Sequence, residues 1–355
     1  MNLPFNFMAT AIGSFPHADA DRAIDIVLDA IPDAPVWPQL PKTSVLEQME
    51  IQYSGGIPRT VVDRDKGRLS IDTSGDYSED FAKFYEEYLS ESESGSADCS
   101  FAVISPEYSR GIYAFEKRIK SSGKRYPFIK VQTTGPCSFA LTTVDEKKRA
   151  IYYNEEFRDV IVKALAMKSR WQIKKFSPFA DAIICFIDEP ILSAFGSSTY
   201  IGVKRDDVVA LVREVADAVK AEKAYAGVHC CGNTDWSILV DAGVDIINFD
   251  AYGYGETIAL YPQAMKKFIA AGGVLAWGLV PTSPSIHDIA LAQLAGLFEK
   301  LLKNLSQKAG IDEESIIRNS IITPSCGTGS LQIADSEKVF AVLKELAAAF
   351  REKYS

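Results

Sequence analysis

The chain has 355 residues, 47% hydrophobic against 24% charged, with a net charge of −9. That balance supports a large core, and basic residues scattered rather than gathered into a stripe argue against a nucleic-acid partner. No apolar run reaches the length of a membrane span, the N-terminus MNLPFNFMATAIGSFPH lacks a charged segment ahead of an apolar block, and six cysteines (99, 137, 185, 230, 231 and 326) are too sparse for a secreted disulfide framework, so a soluble, cytoplasmic protein with reduced thiols is expected.

Thr10–Phe15 (TAIGSF) reads as a first strand ending in Gly13 and Ser14, followed by a helix from near Ala20. Such a turn either holds a small anion, a carboxylate for example, on its N–H groups and hydroxyl, or is an ordinary turn. Trp37–Pro41 reads as the end of a second strand. Residues 58–74 carry the alternation and central Asp-Lys-Gly of an inserted β-hairpin, a candidate lid. Residues 78–90 form an amphipathic helix through Phe81, Phe84, Tyr85 and Tyr88, and ESESGSAD follows as a solvated acidic loop. Phe101–Ile104 is a short strand, and a helix runs through Tyr113, Phe115 and Ile119. The strand PFIKVQTT then ends at Gly135-Pro136, and a long helix spans Glu155–Phe176.

The run AIICFIDEP finishes in Asp188, Glu189 and Pro190. Carboxylates after a continuous apolar run are costly to bury without a cationic partner. A substrate amino group would serve for Asp188 and Glu189; alternatively, one of them caps the next segment or pairs with Arg or Lys. Asp206 and Asp207 cap a helix to Lys220. Beyond it, AYAGVHCC ends in His229, Cys230 and Cys231, and a second apolar run ends at Asp250. Helices over Glu256–Ala271 and Ile286–Leu305 flank the strand VLAWGLV. The strand SIITPSC has Cys326 at its tip, and Lys338–Phe350 is the closing helix.

About eight strand-helix units make a single (β/α)8 TIM barrel over residues 1–355 the economical topology. In such a barrel the C-terminal strand ends share one face, which brings His229, Cys231, Asp250 and Cys326 together as a tetrahedral zinc set. Cys230 points the other way by strand alternation and is a packing residue. The competing account is plain burial, since cysteine is a common core residue.

Five pieces, IGSFP at 12–16, TGP at 134–136, IDEP at 187–190, His229-x-Cys231 and Cys326-Gly327, are together similar to the C-terminal catalytic barrel of cobalamin-independent methionine synthase, in the uroporphyrinogen decarboxylase and methionine synthase superfamily. The resemblance implies zinc held by His229, Cys231 and Cys326, with Asp250 where that family usually has glutamate. It also implies that Ile12, Gly13 and Ser14 hold the carboxylate of homocysteine while Asp188 takes its ammonium. Two departures matter. The chain has room for one barrel, without the N-terminal half that helps hold a folate donor. After VLAWGLV it has Val280-Pro281-Thr282-Ser283-Pro284 in place of D-I-H-S-P, and the nearest histidine, His287, lies several residues off.

A methyl group on a folate amine leaves well only with a general acid, whereas a methyl on a corrinoid leaves without one. The expectation is therefore zinc-dependent methyl transfer to L-homocysteine from methylcobalamin or another methylcorrinoid, free or on a carrier protein. Three alternatives stand beside it: methylation of another thiol such as coenzyme M, a uroporphyrinogen decarboxylase-like lyase, and a non-catalytic zinc-binding accessory of a corrinoid carrier. The first lacks an ammonium for Asp188. The second needs arginines that the IGSFPH turn does not offer.

Overall fold

The computed structural model describes residues 5–354, so the opening residues of the N-terminal stretch read above lie outside the described residues. Two short strands, β1 (Thr60–Asp63) and β2 (Arg68–Ile71), pair antiparallel as the expected hairpin. Six more, β3 (Tyr126–Thr134), β4 (Ala180–Asp188), β5 (Tyr225–Cys230), β6 (Ile246–Phe249), β7 (Val274–Val280) and β8 (Ser320–Pro324), form one parallel sheet in chain order. Parallel neighbours in sequence order send every C-terminal strand end to one side.

The expected eight-stranded barrel is thus corrected to a six-stranded parallel sheet. The first two expected strands, Thr10–Phe15 and Trp37–Pro41, are extended segments with isolated parallel bridges: Ala9 to Ile322, Ser14 to Gln39 and Val36 to Lys130. Single bridges replace ladders for a local reason. Gly13 sits at φ 120°, outside the pleated conformation, and Pro35, Pro38 and Pro41 have no N–H to donate. Phe101–Ile104 is also not a strand, because Ala102 N–H turns back to the Cys99 carbonyl at 3.0 Å. The two helices expected on either side of β7 are each divided: Pro262 begins a new helix after Tyr261, and the helix expected from Ile286 runs Leu291–Ala309. Asp206 and Asp207 lie in the first turn of Arg205–Ala221 rather than at its cap, where they still favour the helix dipole.

The sheet has two unlike faces. The outer one is buried under helices such as Glu155–Phe176, which is capped by Asn154 accepting from Phe157 N–H at 3.3 Å and has Glu155 and Glu156 in its first turn and Lys174 and Lys175 in its last. Its buried Phe157, Ile161, Leu165 and Phe176 each contribute roughly 1.5–3 kcal/mol by leaving water. The inner face starts apolar, with Phe128, Ala182, Ile184, Phe186 and Ile246 in a separate cluster with Phe5 and Met8. Two residues further along each strand, the same parity delivers Asp188 on β4, His229 on β5 and Asn248 on β6. Apart from the buried Lys130, level with Ile184, polar side chains on these strands are thus gathered at one end of the inner face. Among the described residues no helix is long and apolar enough to cross a membrane.

Candidate metal centre and substrate cavity

His229 is buried near the end of β5 with a fixed orientation. Its Nδ1 lies 2.5 Å from Asn248 Oδ1, and the Asn248 amide is itself aligned by donating to the Ala276 carbonyl at 2.9 Å and to Thr323 Oγ1 at 2.8 Å. With the Asn248 nitrogen spent as a donor, its oxygen must accept, so Nδ1 carries the imidazole proton. Nε2 is then a lone-pair donor, and it is buried without a hydrogen-bond partner. An orphaned nitrogen in a buried place asks for a ligand.

Cys231 follows β5, and Cys326 lies just past β8. The ligand atoms of His229, Cys231 and Cys326 all lie within 4.8 Å of one another. Tetrahedral zinc with bonds of about 2.0–2.3 Å needs such atoms roughly 3.5 Å apart, so small side-chain rotations suffice. The contact between the two sulfurs pulls the Cys231 thiol down and pushes Cys326 up. The pair thus already favours one thiolate. Donor types, spacing and the orphaned Nε2 fit a zinc ion with one coordination position left for a substrate. Cys230 points away into the outer core, its thiol 3.6 Å from the Gly232 carbonyl.

Asp250 stands outside this group of three. Burial raises its carboxyl, and Oδ1 accepts from Gly253 N–H at 2.7 Å as the cap of the short helix Ala251–Tyr254. Asp250 is thus a helix cap through Oδ1 and lies outside the 4.8 Å group of donors.

The three donors open onto a cavity of about 310 Å³, also lined by Ile12, Ser14, Gln39, Met49 and Asp188. Ser14 Oγ accepts from Gly329 N–H at 3.2 Å, which leaves its own proton to donate. Gly13 forms the turn without lining the cavity; a Cβ there would come 2.7 Å from Gln132 Nε2, so only glycine fits. Asp188 has Oδ1 enclosed and unpartnered, and burial pushes its carboxyl up to about 6 against the opposing pull of Lys130 and His229.

Glu189 is corrected from substrate binder to structural anchor. One residue beyond Asp188, it points the other way and is fully buried at the start of the helix Pro136–Thr142, accepting from Cys137 N–H at 2.8 Å and from Ser138 N–H and Oγ at 2.7 Å each. Gly135 permits this, because a Cβ there would meet the Glu189 carboxyl carbon at 2.1 Å. Sequence reasoning missed Asn248, Gln39 and Met49. Asn248 was signalled by parity, since it is the inward position two residues before Asp250; Gln39 by its place in the second extended segment; Met49 by nothing local.

No family model matches this chain, and no curated relative matches it. Among solved structures, a methyltransferase from Methanosarcina mazei aligns with 99% of this chain and 95% of its own at a TM-score of 0.53 and 14% identity. At that identity the likeness shows a shared fold.

Proposed function

We propose that this protein is a zinc-dependent methyltransferase that moves a methyl group to the thiol of L-homocysteine, giving methionine, with a methylated corrinoid as donor. The observation that carries the reading is the unpartnered Nε2 of His229 beside Cys231 and Cys326, in one cavity with Ser14 and Asp188. The methyltransferase of the same fold agrees with methyl transfer as the reaction class.

His229, Cys231 and Cys326 would hold the zinc, which when bound supplies ionisation of an incoming thiol whose free pKa is about 8.5. Asp188, in the cavity wall, meets the substrate ammonium. Ser14 offers its hydroxyl proton to the carboxylate, and Met49 and Pro190 form apolar parts of the cavity wall. Orientation of this kind is worth more than ionisation, which gains only about thirtyfold near pH 7. Coenzyme M has no ammonium for Asp188, and no arginine lines the cavity to receive a polycarboxylate.

The donor assignment rests on His287. It is exposed, paired with Asp335 at 2.7 Å and not among the cavity-lining residues, so it is not placed to protonate a folate nitrogen. A cavity of about 310 Å³ suits an amino acid, leaving a macrocyclic donor, free or on a carrier protein, to present its methyl at the mouth. The test is to incubate zinc-loaded protein and homocysteine with methylcobalamin or with methyltetrahydrofolate and assay methionine. Turnover with the folate alone would refute the corrinoid donor, and turnover with neither would refute the methyl-transfer reading.

A further inference from the structure

Directly beneath the cavity, the inner face carries a buried lysine that the proposed reaction does not use. Lys130 is completely buried on β3, its Nζ donating to the Ile12 carbonyl at 2.8 Å and to Gln132 Oε1 at 3.2 Å, and lying 4.6 Å over the Phe186 ring. Both hydrogen-bond acceptors are neutral. Burial lowers this lysine to about 8, and the group that chiefly opposes the shift is the Asp188 carboxylate. A buried ammonium is a folding cost that a methionine of similar length would not incur. What it touches suggests why the charge is kept.

Ile12 belongs to the turn that places Ser14 in the cavity, and Gln132 supports the same turn from below, against Gly13. Gln132 Nε2 also donates to the Trp37 carbonyl at 3.2 Å, tying this support to the second extended segment. That turn is held by isolated bridges rather than by a ladder, so side-chain struts have more to do there than elsewhere in the sheet. On the adjacent strand Phe186, under the ammonium, is two residues from Asp188, which places the Lys130 charge one layer deeper than the carboxylate.

We propose that Lys130 is a positioning residue for the amino-acid end of the substrate, bracing the Ile12–Ser14 turn through the Ile12 carbonyl and balancing the Asp188 carboxylate from deeper in the sheet. The proposal rests on the amino-acid thiol reading above and deepens it. It makes Lys130 a determinant of selectivity for thiols with an α-amino acid group over bare thiols, without contact with either.

The experiment is calorimetric binding of L-homocysteine and of 2-mercaptoethanol to zinc-loaded wild type, Lys130→Met and Lys130→Gln. Lys130→Met should weaken L-homocysteine by about tenfold or more and 2-mercaptoethanol by less than about twofold, with zinc content unchanged. Lys130→Gln, which can still donate to the Ile12 carbonyl, should fall between, and it carries the same comparison if the methionine variant does not fold. In an Asp188→Asn background the loss caused by Lys130→Met should shrink, because one of its two targets is gone. Equal affinity in wild type and variants, or equal weakening of both thiols, would overturn the positioning role alone. Absence of L-homocysteine binding to the wild type would overturn it together with the function proposed above.

Discussion

Asn248 fixes the tautomer of His229 across the β5–β6 pair, its amide oxygen 2.5 Å from Nδ1 and its amide nitrogen committed to Ala276 and Thr323. Losing such a partner typically weakens a metal site about 10–100-fold. Asn248→Leu is therefore expected to lower zinc affinity by that factor, measured by competition with a chromophoric chelator. Unchanged affinity would mean that the imidazole is oriented by something else.

The ligand set can be counted by substitution. Cys231→Ser and Cys326→Ser should each lose stoichiometric zinc, and in cobalt-substituted protein each should lose part of the thiolate-to-cobalt absorption. Asp250→Asn should keep its metal, since that carboxylate caps Ala251–Tyr254. Zinc loss in Asp250→Asn would restore it as a ligand.

Glu189 is predicted to matter for stability. Glu189→Ala strands two buried N–H groups and the Ser138 hydroxyl and empties the space against Gly135. A cost of about 2–4 kcal/mol in urea unfolding is expected. A variant as stable as wild type would show that solvent or a neighbour replaces the carboxylate without loss.

Lys168 gives a pH signature outside the site. It is fully buried, donates to the Gly55 carbonyl at 2.7 Å and to the Phe101 carbonyl, and desolvation lowers it from 10.5 to about 7. Between those two values the unfolded chain holds a proton that the folded chain has released, so this group's contribution to stability rises with pH across the window. The stability gap between wild type and Lys168→Met should move in favour of the wild type from pH 7 to pH 10, followed by denaturant unfolding. A gap that stayed flat or moved the other way would mean that the folded protein keeps the lysine charged.

Much of the centre was legible because apolar runs ended abruptly in ligand-type residues and a parallel sheet in chain order aligns such ends. His229, Cys231 and Cys326 follow from that alone. The same parity rule, carried one residue further, separates Asp188 from Glu189 as it separates His229 from Cys230. Asp250 was less legible, because an aspartate that follows a strand and precedes x-x-Gly looks the same whether it binds metal or caps a helix, and here its Oδ1 is the cap of Ala251–Tyr254. The first two extended segments misled differently: their apolar content fits strands, while Gly13 and three prolines allow only isolated bridges.

Gly327, next to Cys326, and Ser14, more than three hundred residues apart, are packed so tightly that a Cβ on Gly327 would fall 2.1 Å from the Ser14 hydroxyl, and Thr328 N–H donates to the Ser14 carbonyl at 2.9 Å. During synthesis, a chain still on the ribosome displays His229 and Cys231 well before its last cysteine emerges. Assembly of the three-donor cluster and closure of the Ile12–Ser14 turn are thereby deferred to the same late moment, so a truncated translation product would have neither.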